Sequence, residues 1–127
     1  MPNAGDMFRT NTYQKWGEYP KRESYSRDVM PGEAYIVIPK RYAESYDIYM
    51  SNARMNTDYD AYDSHGAFIC TLKAQGNSSA GDVYAKQFAG KGDLTALNSW
   101  ISVNSVTDND TIEVEFLSST SLKLTKV

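Results

Sequence analysis

The sequence predicts a mainly β domain, a barrel or sandwich of short strands with one or two short helices. Three observations predict it. Strand-like runs recur at intervals of about ten residues, with polar turns between them. The run Thr111-Ile112-Glu113-Val114-Glu115-Phe116 alternates apolar and polar residues with period two. Pro39 to Tyr46 combines a proline suited to a first helical turn with a one-sided apolar face.

In chain order, residues 1–6 read as a ragged, disordered terminus and Met7 to Thr10 as a short first strand. Residues 11–32 are polar, aromatic and basic, broken by Trp16-Gly17, Tyr19-Pro20 and Met30-Pro31-Gly32, and hold no helical or strand period. A loop of about twenty residues in a compact domain is unusual and is normally functional or disordered. Ala34 to Ile38 is apolar and β-branched, hence a strand, and it stops at Pro39. Beyond the proline, Tyr42, Ala43 and Tyr46 share one helical face, with Lys40, Arg41, Glu44 and Ser45 outside it.

Residues 51–66 read as turn-like and acidic, and Ala67 to Lys73 as a second clear strand. Gln75 to Asp82 is a loop with two glycines, Val83 to Ala89 a strand, and Gly90-Lys91-Gly92-Asp93 a tight turn. Leu94, Leu97, Trp100 and Ile101 point at a core. Asp108-Asn109-Asp110 turns into the period-two strand, and Ser118 to Ser121 turns into the closing strand Leu122 to Thr125. There is no internal repeat, heptad pattern or linker, so residues 1–127 form one domain.

The 127 residues, 41% hydrophobic, suffice for a single packed core. Ten tyrosines against four phenylalanines leave many ring hydroxyls to sit at a surface or a recognition face. The single cysteine, Cys70, excludes an internal disulfide and reads as a small buried hydrophobe within Phe68-Ile69-Cys70. No signal peptide is evident and no apolar run approaches the roughly 20 residues of a membrane span, so the expected compartment is the cytoplasm, with no membrane partner. The net charge of −3 is unlike that of a simple basic nucleic-acid binder. The acidic excess lies late, however, at Asp58, Asp60, Asp63, Asp108, Asp110, Glu113 and Glu115, whereas residues 1–54 are nearly balanced.

Catalytic chemistry is hard to assemble from these residues. His65 is the lone histidine and lies in a loop, no serine sits in a nucleophile motif, and one His with one Cys cannot make a structural zinc site. Asp108-Asn109-Asp110 lacks the glycine and distal glutamate of a calcium loop and reads as a β-turn. Glu113 and Glu115 alternate with buried positions and so face solvent. Gly76 to Gly81 lacks the lysine-serine ending of a phosphate loop. The chain by itself is not expected to be an enzyme or to carry a cofactor, a catalytic residue or a metal.

The order of elements resembles the B3-like DNA-binding pseudobarrel, found in plant B3 transcription factors and in the recognition domains of some type II restriction endonucleases. The residues that carry the resemblance are Ile38-Pro39-Lys40 running into a helix with Ala43-Glu44, the Trp100 to Asn104 block, and Asn109-Asp110 turning into Thr111-Ile112-Glu113-Val114. Leu72 to Asn77, followed by Gly81 to Phe88, looks more like the bacterial versions. Asn109 stands where the family usually has a turn glycine, a place asparagine tolerates.

The resemblance implies an open pseudobarrel of about seven strands. It also implies sequence-specific binding of double-stranded DNA, in which two arms grip the major groove. By position, one arm is loop 11–31, with Lys15, Lys21, Arg22 and Arg27. The other is region 73–86, with Lys73, Gln75, Asn77, Ser78, Ser79, Tyr84 and Lys86. Lysines and arginines neutralise phosphates, Arg reads guanine, and Gln or Asn reads adenine. A nuclease domain or subunit would then be a partner. The alternative is a non-catalytic interaction or assembly β-domain of the phage or virion type, which suits the acidity and the tyrosines.

Overall fold

Alternate burial along the chain decides which residues face inward. In the computed structural model, residues 2–14, 33–50, 58–76 and 84–127 are described. The elements are β1 (Met7–Thr10), β2 (Thr12–Gln14), β3 (Ala34–Val37), α1 (Lys40–Ser45), β4 (Asp58–Tyr62), β5 (Phe68–Gln75), β6 (Gln87–Gly90), α2 (Asn98–Asn104), β7 (Ile112–Ser118) and β8 (Ser121–Lys126). On β7, Ile112, Val114 and Phe116 are fully buried while Glu113 and Glu115 look outward, as the period-two pattern requires.

The strands form one sheet in the order β1-β7-β8-β4-β5-β6-β3-β2. Neighbours are antiparallel except β4 and β8, which run parallel. The two outermost strands, β1 and β2, are separated only by Asn11. The Asn11 carbonyl accepts from the Val37 N–H at 3.1 Å, and the Thr10 hydroxyl donates to the Val37 carbonyl at 2.8 Å. One bent segment therefore pairs with β7 at its start and with β3 at its end, and the sheet closes on itself. The eight strands thus form a nearly closed, mainly β pseudobarrel, the architecture expected, though less open than the resemblance implied.

The interior is filled by rings from strands far apart in the order. Tyr59 of β4, Phe88 of β6 and Phe116 of β7 meet edge to face with centroids 5.3 to 6.5 Å apart, a geometry favoured by aromatic quadrupoles. Burial pushes the Tyr59 phenol up to about 12, so it stays neutral in the core. Leu72, Leu122, Leu124, Ile36 and Val114 complete the packing.

Helix α1 starts immediately after Pro39, as predicted, and is too short to hold by propensity. Packing holds it instead. Ala43 is fully buried, Tyr42 stacks on Phe8 at 5.3 Å and on Tyr46 at 5.8 Å, and the Tyr46 hydroxyl donates to the Met7 carbonyl at 3.0 Å. Helix α2 buries Trp100 and Ile101 and ends on Ser105 in a left-handed conformation, φ 52°.

Several elements differ from the sequence reading. Asp58–Tyr62, read as an acidic turn, is β4: Tyr59 and Ala61 face the core, while Asp58 and Asp60 face out. Thr12–Gln14, read as loop, is β2. The strand expected over Val83 to Ala89 starts at Gln87, with Tyr84 in an isolated bridge to Tyr49. Residues 2–6 are bonded to β7, since the Gly5 N–H donates to the Phe116 carbonyl and the Phe116 N–H to the Asp6 carbonyl.

The Asp108 turn has a structural task. Its carboxylate accepts from the Thr12 hydroxyl at 3.1 Å and the Gln14 N–H at 3.0 Å, which fastens β2 to the loop after α2. The Gln14 amide adds bonds to the Thr12 hydroxyl and the Val106 carbonyl, each 3.0 Å.

Candidate nucleic-acid interface

Two antiparallel hairpins lie side by side in the sheet. Strands β2 and β3 are joined by residues 15–33, β5 and β6 by residues 76–86, and β3 pairs with β6. The register puts the two connections at opposite ends of the β3–β6 pair. The first leaves beside Ala34 and the second beside Gln87, whose partner on β3 is Val37. Three strand steps give about 10 Å along the strands, and two strand spacings give about 10 Å across them. The roots of the two connections are thus roughly 14 Å apart on the diagonal.

Between these roots lies the outer face of β2, β3, β6 and β5. One cross-strand row runs Tyr13–Tyr35–Ala89–Lys73–Asp58, and the next runs Val37–Gln87–Gln75. Tyr13 and Tyr35 stack with centroids 6.3 Å apart. Tyr35 donates its hydroxyl to the fully buried carboxylate of Glu33 at 2.7 Å. The Gln87 Nε2 donates to the Gln75 Oε1 at 3.1 Å, with both side chains half-buried.

Of the site residues expected from the sequence, Lys15, Lys21, Arg22, Arg27, Asn77, Ser78 and Ser79 lie outside the described residues. The structure places Lys73 and Gln75 together on the outer face of β5, in adjacent rows. Lys86 is exposed next to them. Its backbone is fixed on both sides, the N–H donating to the Gln75 carbonyl at 2.7 Å and the carbonyl accepting from the Ile38 N–H at 2.9 Å. Tyr84 is apart from this row, stacked on Tyr49 at 5.3 Å. Gly76, where the chain leaves β5, is closely approached: a Cβ there would sit 2.9 Å from Met50 Sδ.

Sequence reasoning does not single out Gln87 and Val37, although a signal for both exists. Phe88 and Ile36 are strongly apolar, so period two sends their neighbours Gln87 and Val37 to the opposite face.

The electrostatics distinguish this face from the rest of the surface. Elsewhere Arg9 pairs with Glu113 (3.4 Å), Lys40 with Glu44 (3.9 Å), Lys123 with Glu115 (3.3 Å) and Lys126 with Asp110 (3.6 Å), while Lys91 pairs with Asp58 (2.5 Å) at the end of the Lys73 row. The Arg41 guanidinium lies 4.8 Å from the Tyr42 ring centroid. Among the described residues, Lys73 and Lys86 have no carboxylate partner, because Asp58, opposite Lys73, is taken by Lys91. Glu113 and Glu115 lie on β7, across the barrel from β6 in strand order.

Other chemistry-bearing groups are absorbed by the fold. A shallow depression of about 590 Å³ is lined by Arg9, Thr10, Asn11 and residues 108–111. Its acids are committed, Asp108 to β2 and Asp110 to the Thr107 N–H at 2.8 Å, a bond that holds the Asp110 carboxyl below its ordinary value. His65 is exposed in a turn whose Asp63 accepts the backbone N–H groups of His65 and Ala67. Burial, with the nearby Asp93 charge, pushes the Cys70 thiol up to about 11. Among the described residues, no three His, Cys, Asp or Glu side chains converge as metal ligands, and no helix is long and apolar enough to cross a membrane. No protein-family model matches the chain, and no curated protein matches it.

Proposed function

We propose that the chain is a sequence-specific double-stranded DNA-recognition module of the B3-like type, acting with a nuclease domain or subunit rather than by catalysis of its own. The observation that carries this reading is the outer face of β2–β3–β6–β5. It is a half-buried polar row next to two lysines without carboxylate partners among the described residues, flanked by two hairpin connections whose roots are roughly 14 Å apart. That spacing compares with a major groove about 12 Å wide. The connections themselves bring Lys15, Lys21, Arg22, Arg27, Asn77, Ser78 and Ser79, residue types suited to phosphates and base edges. A local positive face is compatible with a net charge of −3, because Glu113 and Glu115 lie across the barrel and Asp58, beside Lys73, is paired with Lys91.

The test is a selection from duplexes with a randomised core at low salt, followed by a salt titration. The expected result is one enriched short motif, bound at about 10 nM or tighter, with affinity falling linearly in log salt at a slope of about −0.9 per phosphate neutralised. Failure to enrich any motif sinks the reading. Arg22→Ala then sorts the first arm: loss of discrimination at one base pair marks base readout, and uniform weakening with a shallower salt slope marks phosphate contact.

The assembly reading draws on one observation. Phe68 is 58% exposed and packs edge-on against Tyr62 at the tip of the β4–β5 hairpin. Concentration-dependent oligomers abolished by Phe68→Ser, with no duplex selected, would favour that reading.

A further inference from the structure

We infer that Gln87, braced by Gln75 and flanked by Val37, reads an A·T base pair through its major-groove edge, an inference that rests on the DNA-binding reading above. Three observations lead there. Gln87 is the middle member of the row Val37–Gln87–Gln75 at the root of the second connection, half-buried and facing outward, in register with Val37 on one side and Gln75 on the other. Its Nε2 is already committed by one hydrogen to the Gln75 Oε1, at 3.1 Å. That leaves Gln87 with its carbonyl oxygen and one N–H, and Gln75 with its own amide nitrogen, neither side chain making another bond among the described residues.

A neighbouring donor and acceptor on one amide match the N6 donor and N7 acceptor of adenine. The Gln75 bond holds the amide in place before any ligand arrives, so less rotamer freedom is lost on contact. Val37, one strand over, presents methyl groups, the surface that suits the C5-methyl of the paired thymine. Lys73 and Lys86 flank the row as phosphate-seeking charges without carboxylate partners among the described residues. No other described outer-face position combines an amide couple with an apolar neighbour in one row.

The experiment starts from the motif selected by the wild-type protein in the duplex-library assay. Each A·T pair of that motif is replaced by G·C, and separately each adenine by 7-deazaadenine, which lacks the N7 acceptor. For the wild type, one position should lose affinity by roughly 5- to 150-fold on replacement. Gln87→Leu should bring that ratio at that one position to within about twofold while other positions keep theirs. Gln87→Glu, which is isosteric and presents only acceptors, should move the preference at the same position toward cytosine, whose N4 is a donor. A merely structural role for Gln87 would not produce that switch.

The inference is overturned if both variants bind and keep the A·T preference everywhere, or if both stay folded and weaken all sequences alike. A wild-type protein that selects no motif overturns the functional reading itself, so the two failures are told apart.

Discussion

Asp108→Ala is expected to destabilise the domain by about 2 kcal/mol. The carboxylate of Asp108 bonds to two groups of β2, the Thr12 hydroxyl and the Gln14 N–H. These two groups respond differently when it is removed. The Gln14 N–H is exposed, and water replaces its partner at little cost. Thr12 is 1% exposed, so its hydroxyl proton loses its acceptor at a site only partly open to water. A buried donor left unsatisfied costs about 1–3 kcal/mol, and the exposed bond adds up to about 0.5. The sum is about 2 kcal/mol, or a fall of roughly 8 °C in Tm for a chain of this size.

Asp108→Asn keeps an oxygen at the same place and should cost less than half as much. In a Thr12→Val background the hydroxyl is gone, and Asp108→Ala should cost under about 0.5 kcal/mol. The assay is urea unfolding of the wild type, the two single variants and the double variant at constant m, read as a double-mutant cycle. An Asp108→Ala midpoint equal to that of the wild type, or an equal loss in the Thr12→Val background, refutes the assignment of Asp108 as the fastener of β2.

Gly90→Ala should be worse tolerated than Gly76→Ala. The new Cβ at residue 90 would lie 2.1 Å from the Asp93 carbonyl oxygen, a backbone atom, whereas at residue 76 its tightest contact is the flexible Met50 Sδ at 2.9 Å, with the Tyr84 carbonyl oxygen at 3.2 Å. Overpacking against backbone costs about 3 kcal/mol, and calorimetry should rank the two variants in that order. Asp63, Asp93 and Asp110 are all held below 3.8, chiefly by the Ala67 N–H, the Thr95 hydroxyl and the Thr107 N–H respectively. Their stabilisation is therefore present above that ordinary value and lost as pH falls through the lower folded values. Tm should drop as pH falls below about 4, and less steeply in the triple Asn variant; a flat wild-type profile contradicts this. Native Cys70, its thiol raised to about 11, should react with a disulfide reagent at mild pH on the order of a hundredfold more slowly than in urea.

What the sequence made legible depended on whether one force dominated locally. In β3, β5, β7 and β8 the burial pattern and the β-branched or aromatic residues agree, and those strands lie within a residue or two of where alternation puts them. Strand β4 was hidden because Asp58 and Asp60 have poor strand propensity, yet they are the outward half of an alternation whose inward half is Tyr59 and Ala61. Tertiary contacts overrule propensity there: Lys91 pairs with Asp58, and the Thr71 hydroxyl donates to Asp60 at 3.0 Å. Strand β2 has only three residues and no periodicity of its own. It exists because β3 and Asp108 hold it, and both partners are distant in sequence. The candidate face was half legible. Lys73, Gln75 and Lys86 could be placed from chain position, but the Gln75–Gln87 couple needs the β5–β6 register, which no single-strand pattern supplies.

The joint at Asn11 also bears on how the chain acquires its structure in time. Closing the sheet there makes β1 wait for a partner about a hundred residues later in the chain, as the Arg9–Glu113 contact across 104 positions illustrates. At roughly 5–20 residues per second, that strand spends on the order of 5–20 s without its partner. The remaining strands can pair in that interval, but the ring cannot be completed before β7 is synthesised. Folding should thus be slow for a chain of this length, as non-local pairing demands.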